Sequence, residues 1–102
     1  MEREIKDILL EIIELLETVD SESHWISILK RLYADNVSPW DYWLREIQSL
    51  YGGMGSFTDL ILRKNGVICK DENKKLGLLC GKLYESVTKG FAELRNLTKE
   101  SR

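Results

Sequence analysis

Histidine, proline and cysteine are nearly absent from this chain of 102 residues, which contains one, one and two of them. A histidine that acts as a general base or metal ligand needs a partner group, and the sequence offers His24 none. Cys69 and Cys80 lack the paired spacing of a zinc site, so we expect two free thiols. The sequence therefore predicts no catalytic residue, no metal and no cofactor.

Long apolar runs are also absent, because polar residues interrupt each one well before the roughly 18 residues of a membrane span. The chain opens with Met1-Glu2-Arg3-Glu4, which is charged and has no apolar signal-peptide core behind it. These absences predict a cytoplasmic protein without a membrane partner, with its thiols reduced. A length of 102 residues and a hydrophobic fraction of 43% predict one globular domain, residues 1–102.

The net charge of −2 is unevenly distributed along the chain. Residues 1–22 contain eight acidic and two basic residues, a net charge of −6, which leaves +4 for residues 23–102. Such an asymmetry can steer charged partners. The basic residues of the last predicted helix are spread around its polar face and form no stripe with aromatics, so a nucleic-acid partner is not expected.

The first predicted helix, Glu2–Val19, has an apolar face and a separate acidic row. Its apolar residues recur every three or four positions and fill one sector. The acidic row consists of Glu4, Asp7, Glu11 and Glu14. Leu10 lies beside it. Like charges at this spacing destabilise a helix by a few tenths of a kcal/mol per pair. The row is either a solvated face or a docking surface for a basic partner.

Two shorter helices are predicted next, each with a start signal. The polar turn 20–23 supplies caps for a helix over His24–Ala34. Ser38 can cap the third helix, with Pro39 in its first position. The expected buried residues of the second helix are Trp25, Ile28, Leu29, Leu32 and Tyr33. Those of the third are Trp40, Trp43, Leu44, Ile47 and Leu50. Tyr42 is expected on the opposite, exposed face.

A glycine-rich loop, residues 51–60, separates these helices from the rest of the chain. Three glycines within four positions indicate positive φ or a close backbone approach. Phe57 and Leu60 are expected to fasten the loop to the core, and Ser56 with Asp59 could cap a short helix. The loop has no P-loop lysine and does not follow a strand, so it fits neither phosphate-binding motif. The predicted structural residues are Gly52, Gly53, Gly55, Ser56, Phe57 and Asp59.

A hairpin and a long helix complete the chain. Asn65-Gly66 between apolar segments predicts a hairpin with strands at 59–63 and 67–69. The last helix is expected from Asp71 to about Leu97, with Gly90 in its buried seam where it would let another backbone approach. The predicted fold is mainly α: a compact four-helix bundle with a small β-hairpin inserted before the long C-terminal helix.

The glycine loop also resembles a known signature. Residues 51–60 are similar to the Gly-Met-Gly-Ser-Phe-Asn-Asp-Leu pattern of a group of small uncharacterised bacterial proteins, and differ from it at Thr58, where that pattern has asparagine. Asn65-Gly66, Asn73, Leu76 and Leu83-Tyr84 also resemble the group's pattern, so the likeness covers about residues 40–90. Proteins of this size, acidity and helical content resemble immunity proteins, which neutralise a cognate polymorphic or contact-dependent toxin.

The resulting hypothesis is an interaction protein rather than an enzyme. The resemblance implies a bacterial immunity-type inhibitor that neutralises a cognate toxin domain, and a basic nuclease suits the acidic row because nucleases present cationic clefts for phosphate. The alternative is a helical module that self-associates or serves as an adaptor, with no toxin partner. The candidate partner-binding residues are Glu4, Asp7, Leu10, Glu11, Glu14, Tyr42, Tyr51 and Met54.

Overall fold

The computed structural model of the chain describes residues 2–21, 23–35, 39–52, 57 and 60–100, with the side chains of 97–100 left aside. Within these ranges the chain forms four α-helices and one antiparallel pair of short strands. In chain order they are α1 Glu2–Val19, α2 His24–Ala34, α3 Trp40–Gln48, β1 Arg63–Lys64, β2 Val67–Ile68 and α4 Lys70–Glu100. The predicted fold class is confirmed.

Helix α1 buries the apolar face that its sequence predicts. Ile5, Leu9, Ile12 and Leu16 have no exposed surface, and α1 packs against both α2 and α4. Burial of a side chain of this size contributes roughly 1.5–3 kcal/mol, which far exceeds the few tenths that each repulsive acidic pair costs. The helix therefore tolerates an acidic outer face because its inner face is fully packed.

Helix α2 begins as predicted, but one residue that was predicted to be buried is exposed. The Ser23 hydroxyl accepts a hydrogen bond from the Trp25 N–H at 3.3 Å, which confirms the cap. Ile26, Leu29 and Leu32 are buried at intervals of three residues. Tyr33 was predicted to be buried and is 37% exposed, because the buried stripe follows Ile26, which the prediction omitted.

Helix α3 is joined to α2 through a buried tryptophan. The Trp43 indole N–H donates to the Leu32 carbonyl oxygen at 3.0 Å, so the polar edge of this buried ring is satisfied. Pro39 is the residue before the helix rather than its first residue, and Ser38 lies outside the described residues. Tyr42 is exposed on the opposite face, as predicted.

The hairpin is shorter than predicted. Asn65 and Gly66 have φ values of 55° and 78°, the left-handed conformation that a two-residue type I′ turn requires. Ladder pairing covers residues 63–64 with 67–68. At the next pair the Cys69 N–H still donates to the Leu62 carbonyl at 3.1 Å, but the Asn73 side chain takes the place of the reciprocal hydrogen bond. Its Oδ1 accepts from the Leu62 N–H at 2.7 Å, and its Nδ2 donates to the Cys69 carbonyl at 2.8 Å. Asp59, the predicted first strand residue, lies outside the described residues.

Helix α4, with 31 residues, is the longest helix of the described structure. It contacts α1 and α3 and buries Leu76, Leu79, Leu83 and Val87. A Cβ at Gly90 would lie 3.0 Å from Leu44 Cδ1, so Gly90 is closely approached by a side chain and not by the backbone that the sequence predicted. Among the described residues, no helix carries an apolar stretch long enough to span a membrane.

We expect Leu83→Ala to lower the free energy of unfolding by about 2–5 kcal/mol, because it leaves a cavity at a fully buried position of α4. The matched control is the neighbouring exposed residue, and Lys82→Ala should stay within about 0.5 kcal/mol of the wild type. Urea denaturation of the three proteins measures both values. Equal losses at the two positions would contradict the assignment of the buried face.

Candidate functional site

The four predicted acidic residues of α1 form one exposed row, which we call the acidic row: Glu4, Asp7, Glu11 and Glu14. At a rise of about 1.5 Å per residue, the row is roughly 15 Å long. Within the described part of the chain, none of the four carboxylates takes part in an ion pair or a side-chain hydrogen bond. Leu10, half-buried, lies at the edge of the row.

The charged residues on the other flank of α1 are engaged within the fold. Glu17 forms an ion pair with Lys30 of α2, with 2.9 Å between Oε1 and Nζ. The Lys6 ammonium donates to the Asp35 carbonyl oxygen at the end of α2, at 3.3 Å. Lys6 and Lys30 thus both join α1 to α2. The acidic row forms no such ion pair within the described residues, and its carboxylates are open to a partner.

Tyr51, a predicted partner-binding residue, uses its hydroxyl inside the fold. The hydroxyl donates to the Cys80 carbonyl oxygen of α4 at 2.7 Å, and the ring meets Tyr84 edge-to-face at 5.3 Å. Burial, with a smaller contribution from the Cys80 thiol, raises the pKa of Tyr51 well above its usual value of 10.0. Tyr51 therefore holds the chain after α3 against α4.

The described part of the glycine loop contacts the core of the fold. Gly52 has a φ of 108°, a conformation that side-chain-bearing residues rarely adopt. Phe57 is 1% exposed, meets Trp25 edge-to-face at 5.4 Å, and donates its N–H to the Leu50 carbonyl at 3.0 Å. Four predicted loop residues and one predicted contact residue lie outside the described residues: Gly53, Gly55, Ser56, Asp59 and Met54.

The structure does not unite the predicted contact residues into one site. The acidic row and Leu10 lie on α1, Tyr42 lies on α3, and Tyr51 follows α3. Within the described residues, no hydrogen bond, ion pair or ring contact joins Tyr42 or Tyr51 to the acidic row. The same residues contain no group of three His, Cys, Asp or Glu side chains that could hold a metal ion. The acidic row is therefore the one predicted contact surface that the described structure assembles.

Sequence reasoning missed an open groove of about 780 Å³ beside α4, which we call the α4 groove. Tyr51 and Phe57 line it, together with Ile61 and Ile68 of the hairpin segment. On α4 it is lined by Gly77, Gly81 and Tyr84 among others. The sequence signal was the spacing of these three residues at i, i+4 and i+7, which places them on one helical face apart from the buried seam.

A second groove, of about 670 Å³, lies between α3 and α4. Tyr84 lines both grooves, so the second continues the first along α4. Its charged lining consists of Asp41, Arg45 and Arg95. The net charge of this lining is +1, opposite in sign to that of the acidic row.

Asn73→Asp should lower the free energy of unfolding by about 1–3 kcal/mol, because the new carboxylate oxygen would face the carbonyl oxygens of Leu62 and Cys69 to which Asn73 Nδ2 now donates. The change is nearly isosteric, so packing stays the same. The exposed control Asn96→Asp should remain within about 0.5 kcal/mol. Urea denaturation measures stability, and amide hydrogen exchange at Val67 and Ile68 reports opening of the hairpin. Identical behaviour of both variants would contradict this role of Asn73.

Burial raises the pKa of the Cys80 thiol from its usual 9.0 to about 11. The folded chain therefore holds this proton more tightly than the unfolded chain, and the stability that results is present below pH 9 and lost as the pH rises through 11. Cys80→Ala lacks the thiol. We expect the stability difference between wild type and Cys80→Ala to shrink between these pH values in urea denaturation. A difference that stays constant with pH would place the thiol in solvent.

Comparison with known proteins gives one match. A family model described as "Domain of unknown function (DUF6966)" matches residues 18–70, just over half of the chain. No curated protein and no solved structure matches the chain significantly. The matched segment runs from the end of α1 through α2, α3, the glycine loop and the hairpin to the first residue of α4. The chain therefore belongs to the DUF6966 family.

Proposed function

We propose that this protein is an immunity-type inhibitor that binds and neutralises a cognate bacterial toxin domain with a cationic surface, such as a nuclease. The observation that carries the proposal is the acidic row of α1, four exposed carboxylates without an ion pair in the described structure. A cationic cleft that binds nucleic-acid phosphates is the complementary surface for such a row, and covering the cleft would exclude the substrate.

Other acidic residues in the fold behave differently. Glu17 pairs with Lys30, and Glu46 accepts a hydrogen bond from Arg31 at 2.9 Å, so each has a cation from a neighbouring helix. The acidic row has none in the described residues, and its side chains repel one another along a single helix. The packing of α1 does not need these charges, because its core contacts are apolar. A cationic partner would remove the repulsion, and this supports a binding role.

The row would act chiefly on the rate of association. Exposed charges around an interface steer the partner and raise the association rate, and salt weakens that effect. Leu10, at the edge of the row, supplies an apolar contact beside the charges. An inhibitor of a toxin that acts on cytoplasmic nucleic acid would work in the same compartment. We therefore include a cytoplasmic location in the proposal.

A self-associating or adaptor module is the second candidate function. The α4 groove favours it, since the groove exposes apolar side chains on a surface separate from the acidic row. The two functions predict different binding surfaces. Variants of α1 should affect the inhibitor function alone, and variants of the groove should affect self-association alone.

The test is a triple variant, Asp7→Asn with Glu11→Gln and Glu14→Gln. Its association rate with the cognate partner should fall by about tenfold or more at low salt, and the salt dependence of the rate should weaken, because steering charges are lost. Its thermal stability should be unchanged or slightly higher, because the like-charge repulsion is relieved. Stopped-flow or biosensor kinetics across a salt series measure the rate, with a partner identified by pull-down from the native cell or from the neighbouring gene.

The matched control removes three acidic charges elsewhere. Asp71→Asn, Glu72→Gln and Glu93→Gln on α4 change the net charge equally but leave the acidic row intact. This control should retain most of the wild-type association rate. A row variant that binds and protects cells as well as wild type, or a control that is impaired just as strongly, would exclude the acidic row as the interface.

A further inference from the structure

Two glycines in the middle of α4 have no explanation within the described fold. Glycine is among the least favourable residues in a helix interior, so its presence there usually has a packing reason. Gly90 has one, because a Cβ would lie 3.0 Å from Leu44 Cδ1. At Gly77 and Gly81 a Cβ would meet no described atom within 4 Å, and both residues are exposed. Contacts within the described chain therefore account for Gly90 but not for Gly77 or Gly81.

Large apolar side chains surround these two glycines and are open to solvent. Ile61 is 55% exposed, Ile68 49% and Tyr84 49%, and all three line the α4 groove together with Gly77 and Gly81. Leu78, next to Gly77 on the helix, is 63% exposed. Large exposed apolar side chains that line one groove are typical of an interaction site. Glycines at i and i+4 let another helix approach closely, as small residues do at helix–helix interfaces.

We propose that a second copy of this chain occupies the α4 groove, with the two α4 helices packed antiparallel across a two-fold axis near residue 79. Such an interface is isologous, so every residue must find its complement within the same set of residues. An axis at residue 79 places Gly77 of one copy opposite Gly81 of the other. The two close-approach positions then coincide, and Leu78 meets its own counterpart near the axis.

Charge complementarity selects the second copy as the occupant. Lys74 and Glu85 are eleven residues apart, which at 100° per residue places them within about 20° of each other on one flank of the groove. The two-fold axis brings Lys74 of one copy level with Glu85 of the other, to within about 1.5 Å along the helix. Both residues are exposed, and neither forms an ion pair within the described residues. The dimer would thus contain two inter-chain ion pairs.

The opposite flank of the groove fits the same arrangement. Tyr84 and Asn73 lie on this flank of α4, and both line the groove. The two-fold axis places Tyr84 of the second copy level with this end of the groove, beside Ile61 and Ile68. The exposed aromatic ring of each copy then covers exposed apolar side chains of the other, and both grooves are filled at once. This dimer does not depend on the proposed toxin partner, because it uses no residue of α1.

A charge-exchange experiment tests the pairing. Lys74→Glu and Glu85→Lys each place like charges opposite one another twice in the dimer, so each should raise the dimer dissociation constant by at least about tenfold. An equimolar mixture of the two variants should restore dimerisation, because the first variant is acidic at both positions and the second is basic at both. Sedimentation velocity from about 1 to about 100 μM measures the dissociation constants, a range typical of modest interfaces. Lys75→Glu, on the other side of α4, is the matched control and should dimerise like wild type.

Gly81 gives a second test, in which the stability of the monomer and the affinity of the dimer should change in opposite directions. Gly81→Gln should raise the melting temperature of the dilute monomer, because glutamine favours the helix and meets no described neighbour there. The same variant should weaken dimerisation by at least about tenfold, because its side chain blocks close approach of the second helix. Lys82→Gln, one residue away and off the groove, should leave the dissociation constant unchanged.

The outcomes separate clearly. Restoration in the mixture, with loss in both single charge variants and in Gly81→Gln, supports the antiparallel dimer. A wild-type chain that remains monomeric at about 100 μM overturns it. A wild-type dimer that neither charge variant weakens also overturns it, since the interface would then lie elsewhere. None of these results depends on binding of a toxin, so the dimer and the proposed inhibitor function can fail independently.

Discussion

The buried seam of α4 is the interaction on which the rest of the fold depends. Leu76, Leu79, Leu83 and Val87 pack against the other helices, and α1 and α3 both contact α4. The hairpin and the chain after α3 are attached to the same helix by hydrogen bonds. The Tyr51 hydroxyl binds the Cys80 carbonyl, and the Asn73 side chain bridges the two arms of the hairpin. A loss of packing along α4 would therefore detach α1, α3 and the hairpin from it, whereas α2 is held by α1 and by Trp43 of α3.

This dependence leaves two surfaces that the described core does not require. The outer face of α1 presents the acidic row, and the free face of α4 presents the apolar groove. Both carry a local penalty, since like charges repel within α1 and glycines weaken α4. Neither penalty is offset by a contact within the described residues, whereas the glycine at position 90 and the carboxylate of Glu17 are both matched by neighbours. We propose partners for the acidic row and the α4 groove because each lowers the stability of its helix and has no compensating contact within the described residues.

The two surfaces suit different kinds of binding. Charges along one exposed helix act at a distance and steer a partner, so they suit rapid capture of a cationic protein. An apolar groove lined by glycines binds only through direct contact, and it suits a helix that can approach closely. Since the surfaces lie on different helices, a dimer formed through α4 would carry two acidic rows. Binding at the two surfaces can therefore be measured separately.

The sequence by itself determined the helices, the hairpin turn and the acidic row, because each depends on a local signal. The bounds of α1 and α2 follow from apolar periodicity, the type I′ turn follows from Asn65-Gly66, and the row follows from the spacing of four carboxylates. Tertiary structure alone decided the features that depend on distant residues. The Asn73 side chain accepts the Leu62 N–H that would otherwise pair with Cys69, and packing of the α2 stripe through Ile26 leaves Tyr33 exposed. The spacing of Gly77, Gly81 and Tyr84 marks one face of α4, but the α4 groove itself forms only where that face meets the hairpin segment and the chain after α3.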